Sequence, residues 1–196
     1  MVLGNRENII NALLRIASKN PDKKEVTMSE IAEEAGISRQ AIYQKHYNNV
    51  EDIFNDIHHS ITQEVYETLE HAVNSKKIAS IYDIIADELI PKVYYYRSWG
   101  KVLFHTSLDH NWVQFLQDIY LPLLEEQDSN IINHSPLPQK NMIKALMFYI
   151  FSIIAEWLSE DFPDPPEVFS KKFKFLMTTS PKSLIDSTFL TSGKSK

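Results

Sequence analysis

The chain contains no cysteine, which excludes a disulfide framework, a thiolate metal site and a cysteine nucleophile. It has only 4 glycines in 196 residues, and none belongs to a Gly-rich phosphate-binding loop. The stretch MVLGNRENII lacks the charged region and long apolar run of a signal peptide. No apolar run is expected to approach the ~20 residues that a membrane span needs. These absences favour a cytoplasmic protein with no membrane contact, no metal and no cofactor.

Signatures of catalysis are absent as well. The sequence has no Gly-x-Ser-x-Gly and no His-Glu-x-x-His motif, and its 7 histidines are scattered. Adjacent acidic pairs begin at Glu33, Glu51 and Glu125, but neighbouring side chains on a helix point in different directions. The sequence therefore predicts a protein that is not an enzyme.

The composition is typical of a globular all-α protein with one or two domains. Apolar residues make up 43% of the chain, and leucine, isoleucine, alanine, glutamate and lysine are common. The formal net charge of −6 is unfavourable for nucleic-acid binding. However, residues 35–50 include Arg39 and Lys45 and no acidic residue. A local basic patch can dock on DNA even when the whole chain is acidic.

The most specific pattern lies in residues 26–53, VTMSEIAEEAGISRQAIYQKHYNNVEDI. Thr27 and Glu30 have the spacing of a capping box, in which each side chain bonds the other residue's backbone N–H. Gly36 suits the left-handed conformation that commonly ends a helix. This part of the pattern predicts a short helix with a defined beginning and end.

A second short helix is predicted from Arg39 to about Tyr47. Ser38 is placed to cap it and Ile42 to anchor it. Two short helices joined by a turn that contains glycine indicate a helix-turn-helix over about 28–47. Arginine and glutamine on its outward side can hydrogen-bond base edges. The side chains expected to face outward are Ser38, Arg39, Gln40, Tyr43, Gln44 and His46.

This stretch resembles the DNA-binding domain of the TetR family of transcriptional regulators, over roughly the first third of the chain. The residues that carry the resemblance are Thr27, Ile31-Ala32, Ala35-Gly36-Ile37-Ser38, Tyr43, Tyr47, Glu51-Asp52 and Ile53. Two features depart from the family pattern. The interval between Tyr43 and Tyr47 is one residue longer than the commonest form. Val50 stands where the family often has a lysine that helps to hold a phosphate.

The resemblance implies an all-α fold with a helix-turn-helix DNA-binding domain at 1–48, a helical effector-binding and dimerisation domain at 49–180, and a tail at 181–196. It also implies a homodimeric regulator, usually a repressor, that binds a near-palindromic operator and is released by a small molecule. Arg39 and Gln40 are the candidates for base reading. The residues expected to bind DNA are Thr27, Ser38, Arg39, Gln40, Tyr43, Gln44, Lys45, His46 and Tyr47, of which Thr27, Tyr43, Lys45 and Tyr47 are the phosphate candidates.

Helical periodicity continues through the rest of the chain. Pro91 is expected to interrupt or kink its helix because proline lacks the backbone N–H. His58 and His59 are adjacent and do not share a helix face, which argues against a common metal site. Arg6 is interpreted either as a phosphate contact or as a solvated surface residue. The predicted helices are Arg6–Asn20, Val50–Ser75, Ile78–Ile90, Asp109–Glu126, Lys140–Leu158 and Glu167–Thr178, with a loop at 127–139.

The densest aromatic region follows Pro91, and the resemblance places the effector pocket among these middle helices. Pockets are commonly apolar and aromatic with a few polar groups. Core packing is the competing interpretation. The residues expected to line the pocket are Trp99, His105 and Trp112.

The predicted helix Lys140–Leu158 is apolar nearly all round, so it needs cover on more than one side. The resemblance implies that a partner subunit provides this cover, because the family dimerises through its last two long helices. The residues expected at the dimer interface are Phe148, Phe151, Ala155, Phe169 and Phe173.

A second interpretation stays open from the sequence. The chain would be an adaptor of the same fold that binds a ligand and a protein partner without reading a DNA sequence. The longer interval before Tyr47 and the valine at Val50 favour it. Selective DNA binding by the purified protein discriminates between the two interpretations.

Overall fold

A computed structural model describes residues 6–75, 80–125 and 135–184. Within these ranges the regular structure is helical and contains no strand, so the predicted all-α fold is confirmed. A π-helical turn, Ile85–Leu89, lies between α5 and α6, and a 3-10 turn, Ser107–Asp109, precedes α8. The α-helices are α1 (Arg6–Lys19), α2 (Met28–Ala35), α3 (Arg39–Lys45), α4 (Val50–Asn74), α5 (Ile81–Ile84), α6 (Ile90–Tyr95), α7 (Arg97–His105), α8 (Trp112–Glu125), α9 (Gln139–Ser159), α10 (Pro166–Thr178) and α11 (Pro181–Leu184).

Helices α1 to α3 form a small bundle that we call the head. α1 packs on α2, and α2 packs on α3. Ile9 and Leu13 of α1 recur at helical spacing and are fully buried, as is Ile31 of α2. Ile42 is the fully buried anchor of α3. One apolar anchor suffices to hold so short a helix, which leaves most of its circumference on the surface.

The turn between α2 and α3 has the capped geometry that the sequence predicts. Both hydrogen bonds of the Thr27–Glu30 capping box are present. Gly36 adopts the left-handed conformation with φ 68°. The Ile37 N–H donates to the Ala32 carbonyl at 3.0 Å, which closes the end of α2 in a Schellman motif. The predicted helix-turn-helix is confirmed.

Gly36→Ala is expected to lower the free energy of unfolding by about 1–2 kcal/mol, the ordinary strain of an L-residue in the left-handed region. A Cβ at Gly36 would meet no heavy atom within 4 Å, so the loss comes from backbone strain and not from a clash. Urea denaturation at pH 7 measures it. Gly36→Asn is the matched control and should recover most of the loss, since asparagine tolerates this conformation. Equal stability of wild type and Gly36→Ala would contradict the strained turn.

Helix α4 joins the head to the rest of the molecule. Asn49 caps it by accepting a hydrogen bond from the Asp52 N–H at 2.8 Å. The helix packs on α6 and α8. One side of α4 is buried along its length, at Ile53, Ile57, Ile61, Val65 and Leu69. The four-residue interval keeps these side chains on one face, so α4 is a continuous rod from the head into the body.

The helix that carries Pro91 is distorted but continues through it. Pro91 has no N–H, and its ring would clash with the Asp87 carbonyl one turn earlier. The backbone widens into the π-helical turn Ile85–Leu89 just before the proline, which relieves the clash. The Ser170 hydroxyl from α10 donates to the Ala86 carbonyl in this turn. The predicted kink is therefore present, and α10 stabilises it.

Helix α7 was not predicted as a separate element. No side-chain hydrogen bond caps its beginning, so the sequence around Arg97 carries no start signal. α7 packs on α9. A Cβ at Gly100 would lie 2.8 Å from the Leu158 Cδ1, so glycine permits the close approach of the two helices.

Phe169 and Phe173 of α10 lie in the core of the subunit, which corrects their predicted place in a dimer interface. The rings of Phe169 and Trp157 stack with centroids 3.9 Å apart. The Trp157 indole N–H donates to the Asp164 carbonyl at 3.0 Å and fixes the turn before α10. Phe173 is 0% exposed. A side chain that its own subunit covers completely has no surface left for a partner.

Helix α9 is long and apolar, and its own subunit covers little of it. It meets the length and composition of a membrane span, with a mean hydropathy of 1.5 and 28% of that window buried. This corrects the expectation that no segment approaches a span, although one such helix is weak evidence for a membrane. An apolar helix of this kind also serves as an interface between subunits.

Candidate DNA interface and ligand groove

The outward face of α3 is exposed and polar. Burial of Ile42 turns Arg39, Gln40, Tyr43 and Gln44 toward solvent, and Tyr43 is 46% exposed. Ser38 caps the helix by accepting a hydrogen bond from the Ala41 N–H at 3.1 Å, and it is exposed too. The face thus offers guanidinium, amide and phenol groups on one short helix.

The side chain of Arg39 in α3 is held by a hydrogen bond to α2. Its Nη1 donates to the Ser29 hydroxyl of α2 at 3.2 Å. The side chain remains exposed, so its other guanidinium N–H groups face outward for an acceptor. This contact positions the arginine without removing it from the outward face.

Thr27 is occupied by its capping role. Its hydroxyl donates to the Glu30 carboxylate at 2.9 Å and accepts from the Glu30 N–H at 3.3 Å. Hydrogen bonds from Lys23 and then from the Thr27 backbone lower the pKa of Glu30 to about 2. The Lys23 Nζ lies 2.7 Å from this carboxylate and balances its charge. Thr27 is exposed as well as being the cap, so its expected phosphate contact stays a prediction.

Tyr47 is buried, which corrects its expected contact with phosphate. It is 6% exposed, and its hydroxyl donates to the Asp56 carboxylate at 2.5 Å. Burial and the neighbouring carboxylate raise the pKa of Tyr47 above its ordinary value. The N–H groups of His46 and Tyr47 both donate to the Ile42 carbonyl, at 2.9 and 3.2 Å. This turn accommodates the additional residue before Tyr47 and directs the ring inward.

Asp56 of α4 accepts hydrogen bonds from a residue of α1 and from a residue that follows α3. Arg6 of α1 donates to its two oxygens at 2.6 and 2.7 Å, and Tyr47 follows α3. The hydrogen bond from Arg6 is the main cause that lowers the pKa of Asp56. Arg6 also donates to the Ser60 hydroxyl. These contacts form the Arg6–Asp56–Tyr47 network, in which Arg6 is a structural residue although its side chain is 47% exposed.

A groove of about 290 Å³ lies between α4 and α8 and opens to solvent. α4 supplies most of its polar groups and α8 its apolar wall. The sequence analysis missed this groove, although polar side chains recur every three to four residues along α4 from Asn55 to Gln63. The lining residues are Asn55, His58, His59, Thr62, Gln63, Tyr66, Phe115 and Ile119.

None of the three residues expected to line a pocket belongs to the lining of this groove. Trp112 is 2% exposed and lies behind the groove, with its ring 5.1 Å from that of His58. Trp99 is buried against Tyr96. His105 is exposed, and its Nε2 donates to the Ala155 carbonyl of α9 at 2.9 Å. Their predicted common role in an effector pocket stays a prediction.

The His58 Nε2 donates a hydrogen bond to the Asp109 carboxylate in the 3-10 turn before α8. The two side chains are each 11% exposed, so this pair ties α4 to α8 beneath the groove. Its ring lies 4.3 Å from that of Phe115. Within residues 6–75, 80–125 and 135–184, no three histidine or acidic side chains are placed to hold a metal ion.

The remaining interface candidates lie along α9. Phe148 is 50% exposed, and its neighbour Tyr149 is 38% exposed. Phe151 and Ala155 are half-buried. On α10 the exposed apolar residues are Val168 and Phe175 instead of the predicted phenylalanines. The uncovered apolar surface therefore includes residues of both helices.

A capped helix-turn-helix on an all-α body defines the class of this chain: it is an all-α helix-turn-helix protein. No family model matches the sequence. It is 25% identical over 162 residues to the uncharacterized HTH-type transcriptional regulator YxbF of Bacillus subtilis (strain 168), a match that covers 79% of this chain. The match covers only 40% of that curated relative, so this chain spans less than half of the relative's length.

Two solved structures are similar. One is the TetR family repressor AlkX from Dietzia sp. strain DQ12-45-1b, which is implicated in the biodegradation of n-alkanes. It is 15% identical, with 88% of this chain and 93% of that chain covered and a TM-score of 0.47. The other is a TetR transcriptional regulator from Streptococcus agalactiae 2603V. It is 14% identical, with coverage of 87% and 92% and a TM-score of 0.47.

Proposed function

We propose that the chain is a sequence-specific DNA-binding transcriptional regulator, a cytoplasmic homodimeric repressor that a small-molecule effector releases from its operator. The observation that carries the proposal is the exposed face of α3. A capped turn and one buried anchor hold Arg39, Gln40 and Gln44 outward on a short helix. Arginine and glutamine are the side chains that bond guanine and adenine edges in the major groove.

The head holds the proposed DNA contacts, and the groups divide into two kinds. Arg39 and Gln40 near the beginning of α3 read bases, because recognition helices contact base edges with their N-terminal residues. Tyr43, Gln44 and Lys45 contact phosphates, which fix the register of the protein on the duplex. Ser38 and His46 flank the helix as further contacts. The exposed Thr27 at the beginning of α2 is a further phosphate contact. Tyr47 is omitted because it is buried and bonded to Asp56.

A homodimer follows from the uncovered apolar surface. Phe148, Tyr149 and Phe151 of α9 and Val168 and Phe175 of α10 compose what we call the dimer face. Water contact with so much apolar surface is unfavourable, and a second copy removes it at a two-fold axis. Two copies place their α3 helices in successive major grooves about 34–36 Å apart, which calls for a near-palindromic operator.

Arg39→Ala is expected to weaken binding to the specific duplex by about 1–3 kcal/mol and to relax the preference at one base position. The change removes the two guanidinium N–H groups that donate to the edge of a base. Fluorescence anisotropy at a fixed salt concentration, on the specific duplex and on a scrambled one, measures both quantities. An equal loss on the two duplexes would show that Arg39 contacts only phosphate.

Lys45→Ala is expected to weaken all DNA sequences alike. Each phosphate neutralised by a protein cation contributes about 0.9 to the slope of log K against log salt, so the slope should become shallower by about that amount. Titrations at several salt concentrations measure the slope. Lys24→Ala, which removes an exposed cation from the loop before α2, is the matched control. A slope unchanged by Lys45→Ala would reject the phosphate contact.

Selection of sites from a random duplex pool tests the proposal as a whole. The wild type should enrich one near-palindrome at about physiological salt, where nonspecific binding to phosphates is weaker than at low salt. The double variant Arg39→Ala, Tyr43→Ala should lose the enrichment. A folded protein that enriches no site would overturn sequence-specific regulation and favour the adaptor, whose partner is a protein.

A further inference from the structure

We infer that the groove between α4 and α8 binds a small planar aromatic carboxylate; the inference rests on the proposed ligand response and gives it a site and a ligand class. The groove lies on the side of α4 next to the Arg6–Asp56–Tyr47 network. Its walls differ in chemistry, one being apolar and the other rich in hydrogen-bond donors.

The apolar wall selects a flat ring. Phe115 and Ile119 of α8 face Tyr66 of α4 across the groove. The Phe115 ring packs on the His58 ring with centroids 4.3 Å apart at an interplanar angle of 31°, which holds both rings in place at the groove. The volume of about 290 Å³ is at the lower end of the range for small-molecule sites. A fused or single aromatic ring fits such a slot better than a long flexible chain.

Most polar groups on the other wall already have partners. His58 pairs with Asp109. The Thr62 hydroxyl donates to the His58 carbonyl at 2.8 Å, and the Gln63 amide donates to Glu67. These residues shape the groove, but they do not supply the groups that a ligand would bind first.

Asn55 and His59 remain for the ligand. Neither makes a hydrogen bond within the described ranges, and both are exposed. They are four residues apart on α4, so their side chains lie on one face and can converge on one group. The lining contains no aspartate, glutamate, lysine or arginine. An amide N–H and an imidazole N–H on a wall without carboxylates suit an anionic acceptor.

The position of the groove connects it to the head. Asn55 precedes Asp56, and the His59 imidazole is one of the groups that lower the pKa of Asp56. A carboxylate at His59 places a second negative charge within one helical turn of Asp56, the residue that holds α1 and the end of α3. Like charges repel, so occupancy of the groove acts against the contacts that set the head on α4.

Three probes of one ring system test the ligand class. Calorimetric titration of the full chain without DNA compares 2-naphthoate, 2-naphthalenemethanol and 2-naphthylmethylamine. Naphthoate should bind at least about tenfold more tightly than the alcohol or the amine, a difference well within calorimetric resolution. Equal or tighter binding of the amine would overturn the inference, and so would the absence of naphthoate binding at millimolar concentration.

Variants locate the site. His59→Ala should bring naphthoate down to the affinity of the alcohol, and Ile119→Trp should block all three probes by filling the groove. The matched control is His71→Ala, which removes an exposed histidine of α4 outside the groove and should change nothing. Circular dichroism establishes that each variant is folded. Naphthoate binding that survives both groove variants would overturn the site.

A DNA titration separates this inference from the proposed function. Naphthoate that binds the groove and weakens binding to the selected duplex supports both. Naphthoate that binds the groove without any effect on DNA affinity supports the site and overturns the ligand response. A protein that binds naphthoate but selects no DNA sequence retains the site and loses the proposed regulatory role.

Discussion

Phe148→Asp is expected to convert the protein from a dimer to a folded monomer at micromolar concentration. Phe148 lies on the proposed dimer face and is 50% exposed in one subunit. In the proposed dimer its ring is desolvated, and an aspartate there would be a buried charge without a partner. Such charges at interfaces cost several kcal/mol, enough to move the dissociation constant by several orders of magnitude.

Sedimentation velocity measures the change, and circular dichroism shows that the subunit is still helical. Phe162→Asp is the matched control, because Phe162 is 93% exposed in the turn between α9 and α10. It should leave the dimer intact. A Phe148→Asp protein that sediments as a dimer would contradict the dimer face, and a wild type that is monomeric would do the same.

Phe173→Ala is expected to lower the free energy of unfolding by about 3–5 kcal/mol, the usual range for the loss of a fully buried phenylalanine. Phe173 is 0% exposed, and its ring lies 6.4 Å from that of Phe169, which stacks on Trp157. The substitution leaves a cavity between α10 and the rest of the body. Because the side chain is inside the subunit, the loss should be present at every protein concentration.

Guanidinium denaturation at two protein concentrations measures this loss, with Phe162→Ala as the matched control that should change stability by less than about 0.5 kcal/mol. A small loss for Phe173→Ala together with a weaker dimer would contradict the core assignment. It would restore the interface that the sequence predicted for this residue.

The helix-turn-helix could be predicted from sequence because its signals are local. The Thr27 capping box, the glycine at Gly36 and the cap at Ser38 each act within four residues, so their spacing specifies the backbone. The outward face of α3 follows from the burial of Ile42 alone. No information about the rest of the fold is needed for any of these features.

The role of Tyr47 could not be predicted in the same way. Its direction depends on Asp56, a residue nine positions later on another helix, and on Arg6 at the beginning of α1. Resemblance to the family suggested a phosphate contact, whereas the turn at His46 rotates the ring into the head. Long-range polar partners of this kind leave no periodic signal in the sequence.

The apolar faces of α9 and α10 show a further limit of prediction from sequence. Periodicity identified the apolar faces of both helices but not which element covers each face. Phe169 and Phe173 alternate with Val168 and Phe175 around α10, and all four are apolar. Only the packing against Trp157 decides that the first two face inward. The groove between α4 and α8 could not be predicted for a related reason. Polar residues on one side of a helix ordinarily form a solvated face.

The central claim is that two copies of this chain read DNA through α3 helices one helical turn apart. Hydroxyl-radical footprinting of the wild type on the selected duplex tests it directly. The account predicts two protected patches on one side of the duplex, centred about 10 base pairs apart, and their loss with Phe148→Asp at the same concentration. A single patch, or two patches that persist in the monomeric variant, would contradict it.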